Sequence, residues 1–314
     1  MVALAYPPTS TRRRAPIGRG DVVYPAYWFA AALLIGVTLL GVPLDHPAAV
    51  GIATIVFIGG GLPHGAYDIA LLRRSVALDR AGLCLVVGGY AMIAMLMVFL
   101  WISVPLAALI LFLAAAAVHF GEDWLMLEDP LLRVAAGAAV IAAATIGHPD
   151  EVAALFVAMS DPRAAVLAQI ITAAAPVALL VTAVGIALAW RDGSLSWATA
   201  MTLCLVLLVV LPPVMGFALF FAFLHSPRHL TQARARLHDM TPARWLGTGA
   251  LLSGLAILGW LGLRTMASAR IDPIMVAQAF QLLASVAVPH LLLSRWLERR
   301  LTTAPISQGK TAIS

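Results

Sequence analysis

The sequence predicts an all-α fold, a polytopic membrane helix bundle of about ten transmembrane helices. Three observations carry this. Of the 314 residues, 62% are hydrophobic and only 11% are charged, against about 45–50% apolar and about 25% charged in a soluble domain. The apolar residues fall in unbroken blocks such as Trp28–Leu40, Val104–Val118 and Ala198–Leu211. The arginines gather in alternate loops between those blocks. Together these features exclude a secreted disulfide scaffold, a disordered chain and an ordinary cytosolic enzyme.

A bilayer core about 30 Å thick takes roughly 20 apolar residues of helix to cross. On that rule the spans lie near 26–44, 48–67, 82–101, 104–121, 131–147, 165–189, 196–211, 214–231, 244–262 and 274–295. The first follows Arg12, Arg13, Arg14 and Arg19 and runs into Leu44-Asp45-His46-Pro47. No small-residue cleavage site follows it, so it reads as a retained span and not a removed signal. The segment 150–163 is too short to cross and is expected at the interface. Residues 1–25 and 298–314 are expected to be cytoplasmic tails around a bundle at 26–297, with 1–20 and 303–314 mobile.

The span count turns on Ala198–Leu224, apolar for 27 residues with Pro212-Pro213 in the middle. Two prolines remove two amide donors and clash with the preceding turn, which breaks or kinks a helix. With a turn there and the N-terminus inside, Arg73, Arg74, Arg80, Arg133, Arg191, Arg228, Arg234, Arg236, Arg244, Arg295, Arg299 and Arg300 all fall inside. Only Arg163, Arg264 and Arg270 fall outside, which satisfies the positive-inside rule. Nine spans would move the Arg228–Arg244 group across. Ten spans with both termini cytoplasmic, in the cell (inner) membrane, is the preferred reading. The net charge of +5 is then a cytoplasmic rim of arginine and no nucleic-acid footprint. Cys84 and Cys204 lie in apolar runs without C-x-x-C spacing and read as core residues.

Of the eight histidines, His46, His148 and His238 fall in loops. The other five lie in spans, where an ionisable side chain is expensive and functional by default. His64 ends span two, His119 ends span four, His225 and His229 lie in span eight, and His290 lies late in span ten. These even-numbered spans all run inward, so the five imidazoles share one depth in the cytoplasmic half. In His225-Ser-Pro-Arg-His229 two rings are four residues apart on one helix face, a chelating arrangement. Neutral imidazole suits Zn, Cu, Fe and Ni. In His64-Gly-Ala-Tyr-Asp68 and His119-Phe-Gly-Glu-Asp123 an aspartate follows one turn after the histidine. Asp68 and Asp123 read equally as acceptors of the distal ring N–H of those histidines or as acidic helix ends in interfacial water. Glu122 and Glu128 read as loop residues. Gly59-Gly60-Gly61, just before His64, allows either a helix break or close packing.

A buried, neutral set of histidines with vacant metal positions suits O2 with Fe(II), or hydrolysis with zinc. The apolar surroundings suggest a lipid-soluble substrate. Phe120, Trp124, Phe217, Phe220, Phe221, Phe223 and Phe280 lie near the site in sequence, as a slot for a flat hydrocarbon or as ordinary packing.

The segments Gly61-Leu62-Pro63-His64-Gly65-Ala66-Tyr67-Asp68, His119-Phe120-Gly121-Glu122-Asp123, His225-Ser226-Pro227-Arg228-His229 and Val288-Pro289-His290-Leu291-Leu292 carry a resemblance. In order and separation they resemble the signature of the Brp/Blh-type bacterial and archaeal β-carotene 15,15′-dioxygenases, over about residues 28–297. The resemblance implies an integral membrane enzyme that splits the central double bond of β-carotene with O2 into two all-trans-retinal molecules. It implies non-haem Fe(II) held by His64, His119, His225 and His229, with His290 as a further ligand, a partner of a ligand or a substrate contact. It also implies the lipid bilayer as setting and a microbial rhodopsin as indirect recipient of retinal.

The main competing reading is a histidine-lined metal or proton transporter, which needs polar residues at several depths where this chain has one layer. A retinal-binding photoreceptor needs a lysine within the membrane, and the sole lysine is Lys310 in the tail. A di-iron desaturase needs more histidine clusters than the single H-x-x-x-H here.

Overall fold

The computed structural model describes residues 23–76, 78–266 and 275–303; of residues 263–266 and 298–303 it describes the backbone only. The mobile tails expected at 1–20 and 303–314 therefore lie outside the described residues, apart from Thr303, which ends the last helix. All described regular structure is helical. The helices are α1 Pro25–Leu39, α2 Pro47–Gly65, α3 Asp68–Ser75, α4 Arg80–Ser103, α5 Pro105–Phe120, α6 Pro130–Gly147 and α7 Pro149–Met159. They continue as α8 Ala164–Arg191, α9 Leu195–Val210, α10 Pro213–Phe220, α11 Ser226–Arg236, α12 Pro242–Met266 and α13 Met275–Thr303.

Proline opens many of these helices. It stands in the first turn of α1, α2, α5, α6, α7, α10 and α11, where the missing N–H is one no helix would use. Asp79 and Asp129 cap α4 and α6 through side-chain acceptors, and His46 caps α2. The chain is a polytopic α-bundle. Seven of its helical segments are long and apolar enough to cross a membrane, among the described residues. The expected ten spans all fall on helix, but three are not of spanning length: α1 and α9 are only 15 and 16 residues long, and the eighth is divided between α10 of 8 residues and α11 of 11. At 1.5 Å per residue α1 and α9 reach about 22–24 Å, short of a full hydrocarbon core. The eleven-residue α7 occupies the segment expected at the interface.

At Pro212-Pro213 the chain turns. The α9 helix stops at Val210, Leu211 and Pro212 are extended, and Pro213 starts α10. The two helices then pack side by side, since a Cβ on Gly216 would stand 3.1 Å from the Leu208 Cα. A kink in one long helix is excluded by that contact.

The bundle is thickest around α13, whose segment from Val276 to Ser285 is wholly buried. It packs on α2, α4, α5, α7 and α3. The α5 helix meets α6 through Gly137, where a Cβ would stand 2.1 Å from the Ala117 carbonyl. The α4 and α12 helices are mostly exposed along their length, and both rest on α13.

Candidate metal centre

The site begins with two irregularities in the helices. The first is a π-helical turn, Phe221–His225, between α10 and α11. Pro227 follows it in the first turn of α11. A prolyl ring would clash with the carbonyl four residues back in an α-helix, and the wider turn makes room. Wide turns of this kind are frequent at functional sites.

The second irregularity is at the end of α2. The helix runs unbroken through Gly59-Gly60-Gly61 to Gly65, so the glycines do not break it. They let the π turn in. A Cβ on Gly61 would stand 2.0 Å from the Phe221 ring, and one on Gly60 would stand 2.6 Å from the Ala222 Cβ. Ser226 Oγ donates to the Gly60 carbonyl at 2.5 Å across the same seam. The packing reading holds and the break does not.

These elements bring all five membrane-level histidines together. The ring of His64 lies 5.8 Å from that of His119, 5.7 Å from those of His225 and His229, and 5.0 Å from that of His290. His225 and His229 are 4.5 Å apart across the end of the π turn. Their nitrogens form two possible metal-holding groups, His64 with His119 and His290, and His119 with His225 and His229. Within each group the ligand atoms lie within 4.8 Å of one another, and His119 belongs to both.

Four of the rings are oriented through Nδ1. His225 donates to Asp123 Oδ2 at 2.7 Å and His290 to Asp68 Oδ2 at 2.7 Å. His119 donates to Glu122 Oε2 at 3.0 Å, and His64 to the Gly61 carbonyl at 2.5 Å. In each ring the lone pair is left on Nε2. His119 Nε2 and His225 Nε2 nevertheless face each other at 3.1 Å. Two lone pairs do not attract; a shared cation resolves the contact. Metal–imidazole distances of about 2.0–2.1 Å place adjacent ligand nitrogens about 3 Å apart. The buried Nε2 atoms of His229 and His290 have no hydrogen-bond partner. Buried polar atoms are normally satisfied, and such orphans call for an explanation. The donor set fits a first-row transition metal.

The aspartates reach the cluster by a route the sequence did not indicate. Neither partners the histidine four residues before it. Ala66 and Tyr67 interrupt the helix while keeping αR backbone angles, Asp68 opens α3, and its carboxylate meets His290. Asp123 ends a 3-10 turn after α5 and reaches His225. Glu122, expected in a loop, instead takes the His119 ring N–H and a bond from Arg295 Nε at 3.3 Å. Arg228 donates to the Asp123 carbonyl at 2.9 Å and lies 3.4 Å from its carboxylate. The roles of Glu122, Arg228 and Arg295 were missed. The H-F-G-E-D segment offers two acids after the histidine, and spacing alone cannot choose between them.

Of the aromatic residues, Phe120, Phe220 and Phe221 contact the His225 ring, and Phe221 also meets His64. Phe217 and Phe280 form the next layer with Phe57. Trp124 packs on Trp197 instead, and Phe223 faces a separate small cleft beside Val23 and Tyr24. The loop histidines stay apart from the centre, with His148 bonded to Glu151 and His238 beside Arg74.

Two cavities meet at the histidines. A wider one of about 530 Å³, of mixed character, is lined by His119, His229, Glu122, Arg133, Arg228 and Arg295, among others. An apolar one of about 230 Å³ is lined by Leu62, Tyr90, Leu252, Leu283 and Val286, among others. His64, Asp68 and His290 line both.

A family model described as beta-carotene 15,15′-dioxygenase matches residues 53–298, a segment that holds all five of these histidines. A beta-carotene 15,15′-dioxygenase of an uncultured marine bacterium is 26% identical over 269 residues, covering 79% of this chain and 93% of the relative. A probable beta-carotene 15,15′-dioxygenase Blh of Halobacterium salinarum is 28% identical over 293 residues, covering 82% of this chain and 81% of the relative. No solved structure matches.

Proposed function

The chain belongs to the beta-carotene 15,15′-dioxygenase family, and we propose that it is a membrane dioxygenase that uses Fe(II) and O2 to split the central 15,15′ double bond of β-carotene. The products are two all-trans-retinal molecules. The carbon–carbon double bond breaks, and the two oxygen atoms of O2 become the two aldehyde oxygens. The balance closes without water, a base or a further reductant.

The observation that carries the reading is the 3.1 Å approach of His119 Nε2 to His225 Nε2, when both rings give their Nδ1 hydrogens to carboxylates. Such a pair is built to share a cation. His64, His119, His225 and His229 are assigned to the metal with His290 beside them on the α13 side; His119 joins the two triads, His64–His119–His290 and His119–His225–His229. Iron(II) held by these residues would supply the chemistry toward O2.

The protein's own part is orientation and an apolar setting. Asp123, Glu122, Asp68 and the Gly61 carbonyl each take an Nδ1 hydrogen, which fixes the orientation of four rings and leaves Nε2 for the metal. Phe120 and Phe221 pack on the His225 ring and give the cluster one hydrocarbon wall. Oxidative cleavage of a hydrocarbon asks for no general base, which agrees with carboxylates that hold ring protons and do not transfer them. By the positive-inside rule the arginine-lined cavity faces the cytoplasm, in the cell membrane. The product is a lipid-soluble aldehyde, and a retinal-binding protein in the same bilayer, such as a microbial rhodopsin, is its recipient.

The test is expression in β-carotene-producing cells, with chromatography for retinal and metal analysis of the purified protein. Bleaching, retinal and bound iron are expected together. Unchanged carotene beside a folded, iron-loaded protein would overturn the reading.

A further inference from the structure

We propose that the apolar cavity between α4 and α12 is the port through which the polyene reaches the metal centre from the bilayer, and that Ala91 and Ala256 at its mouth set what passes. This rests on the proposed function and adds a route and a pair of specificity-determining residues.

The inner end of the cavity is the centre itself, since His64 and His290 line it. A Cβ on Gly65 would lie 3.5 Å from the His290 ring, in ordinary contact. At Gly65 no side chain stands between the cavity and that imidazole. The walls are apolar side chains of α2 and α13, including Leu62, Leu283 and Val286.

The outer end opens between α4 and α12. Val87 on α4 and Leu252 on α12 both line the cavity and are 42% and 37% exposed. Ala91 is exposed and Ala256 half-buried beside them. Along the same helices Leu85, Met92, Leu96, Leu251, Leu255 and Leu258 are all exposed. Both helices are among those long and apolar enough to cross a membrane, so this flank is the surface that meets acyl chains. A mouth in that belt takes its ligand from hydrocarbon.

The occupant follows from shape and chemistry. At about 230 Å³ the cavity is smaller than the roughly 300–1,000 Å³ of a whole small-molecule site. It suits one arm of a long chain that lies with its middle at the histidines and its end in the lipid. The wider cavity on the other side carries Arg133, Arg228 and Arg295 and is not part of the port.

The experiment uses the full chain, purified in detergent with iron and titrated with β-carotene under nitrogen, the bound carotenoid being read from its visible absorbance. Ala256→Trp and Ala91→Trp are expected to lower bound carotenoid by about tenfold or more, because overfilling a packed cavity is costly. Iron content is expected to stay unchanged, and retinal formation in air to fall in step, mainly through KM. Leu180→Trp on α8, at a side chain 67% exposed and far from the cavity in sequence, is the control and is expected to change nothing. If both mouth variants keep iron and still bind and cleave β-carotene like the unaltered chain, the port is wrong. The same holds if phospholipid acyl chains alone are displaced from the cavity by the tryptophans. Failure of the proposed function looks different, because then the unaltered chain and the Leu180→Trp control also give neither bound carotenoid nor retinal.

Discussion

The two halves of the histidine cluster are held in different ways. On the α11 side, Asp123 orients His225 and is itself held by Arg228, which contacts both its carbonyl and its carboxylate. On the α13 side, Asp68 orients His290 with no cation beside it among the described residues. Its charge is favoured instead by the first turn of α3, where the free amides of a helix start attract an anion. One half is clamped by a buried ion pair and the other rests on a helix end. The difference teaches that the α11 half is held by charge and the α13 half, next to the apolar cavity, by the placement of a helix start.

Removing a ligand from each half tests that contrast most strongly. His225 is fully buried and touches the rings of His64, His119 and His229. His225→Ala is expected to lower iron affinity by more than about 100-fold, beyond the 10–100-fold that follows loss of an outer partner. His290→Ala leaves the other four histidines in place and is expected to cost about 10–100-fold. Metal titration followed by elemental analysis measures both. Equal losses would erase the proposed asymmetry, and iron retained in full by His225→Ala would remove the metal assignment.

The carboxylates give the next, smaller effect. Asp123→Asn leaves the Arg228 guanidinium, whose side chain is 11% exposed, beside a neutral amide. Breaking one partner of a buried pair costs about 3–5 kcal/mol, so a lower Tm is expected together with weaker iron binding. Asp68→Asn lacks that penalty and is expected to cost about tenfold in iron affinity with little change in Tm. Thermal melts of the two variants with and without iron decide it. A larger Tm loss for Asp68→Asn would reverse the comparison.

How much of this could be read in advance differs between the same two halves. The bundle, the turn at Pro212-Pro213 and the shared depth of the five histidines follow from local signals: apolar length, proline chemistry and arginine placement. The spacing of His225 and His229 put them on one helix, and the structure brings their rings together there. The partners of the ring N–H groups were not legible. Asp68 sits four residues after His64, yet its carboxylate meets His290 on a helix more than 200 positions away in sequence. Glu122 and Asp123 are neighbours whose targets depend on how a 3-10 turn leaves α5. Such choices are made by tertiary packing, and no periodicity records them. The exact number of crossings stayed open for a related reason. Prolines trim α1 and α9 below the length that composition alone allows.

The smallest expected effect lies at the rim of the shared ligand. Arg295 holds Glu122, which orients His119, but the Arg295 side chain is 42% exposed and the Glu122 side chain 25%. Solvent screens a pair of that kind, and such contacts contribute about 0–1 kcal/mol. Arg295→Gln is therefore expected to weaken iron binding by no more than about fivefold. The residual loss should shrink as salt rises, because an exposed pair is already screened at high ionic strength. Arg228→Gln, by contrast, uncovers a buried carboxylate and should lose more than Arg295→Gln at every salt concentration. Metal titrations of both variants at low and high salt compare the clamped and the screened carboxylate directly. If Arg295→Gln proved as damaging as Arg228→Gln and equally indifferent to salt, burial would not be what separates the two anchors. The hold on the α11 side would then have to come from the π turn and its glycine seam instead.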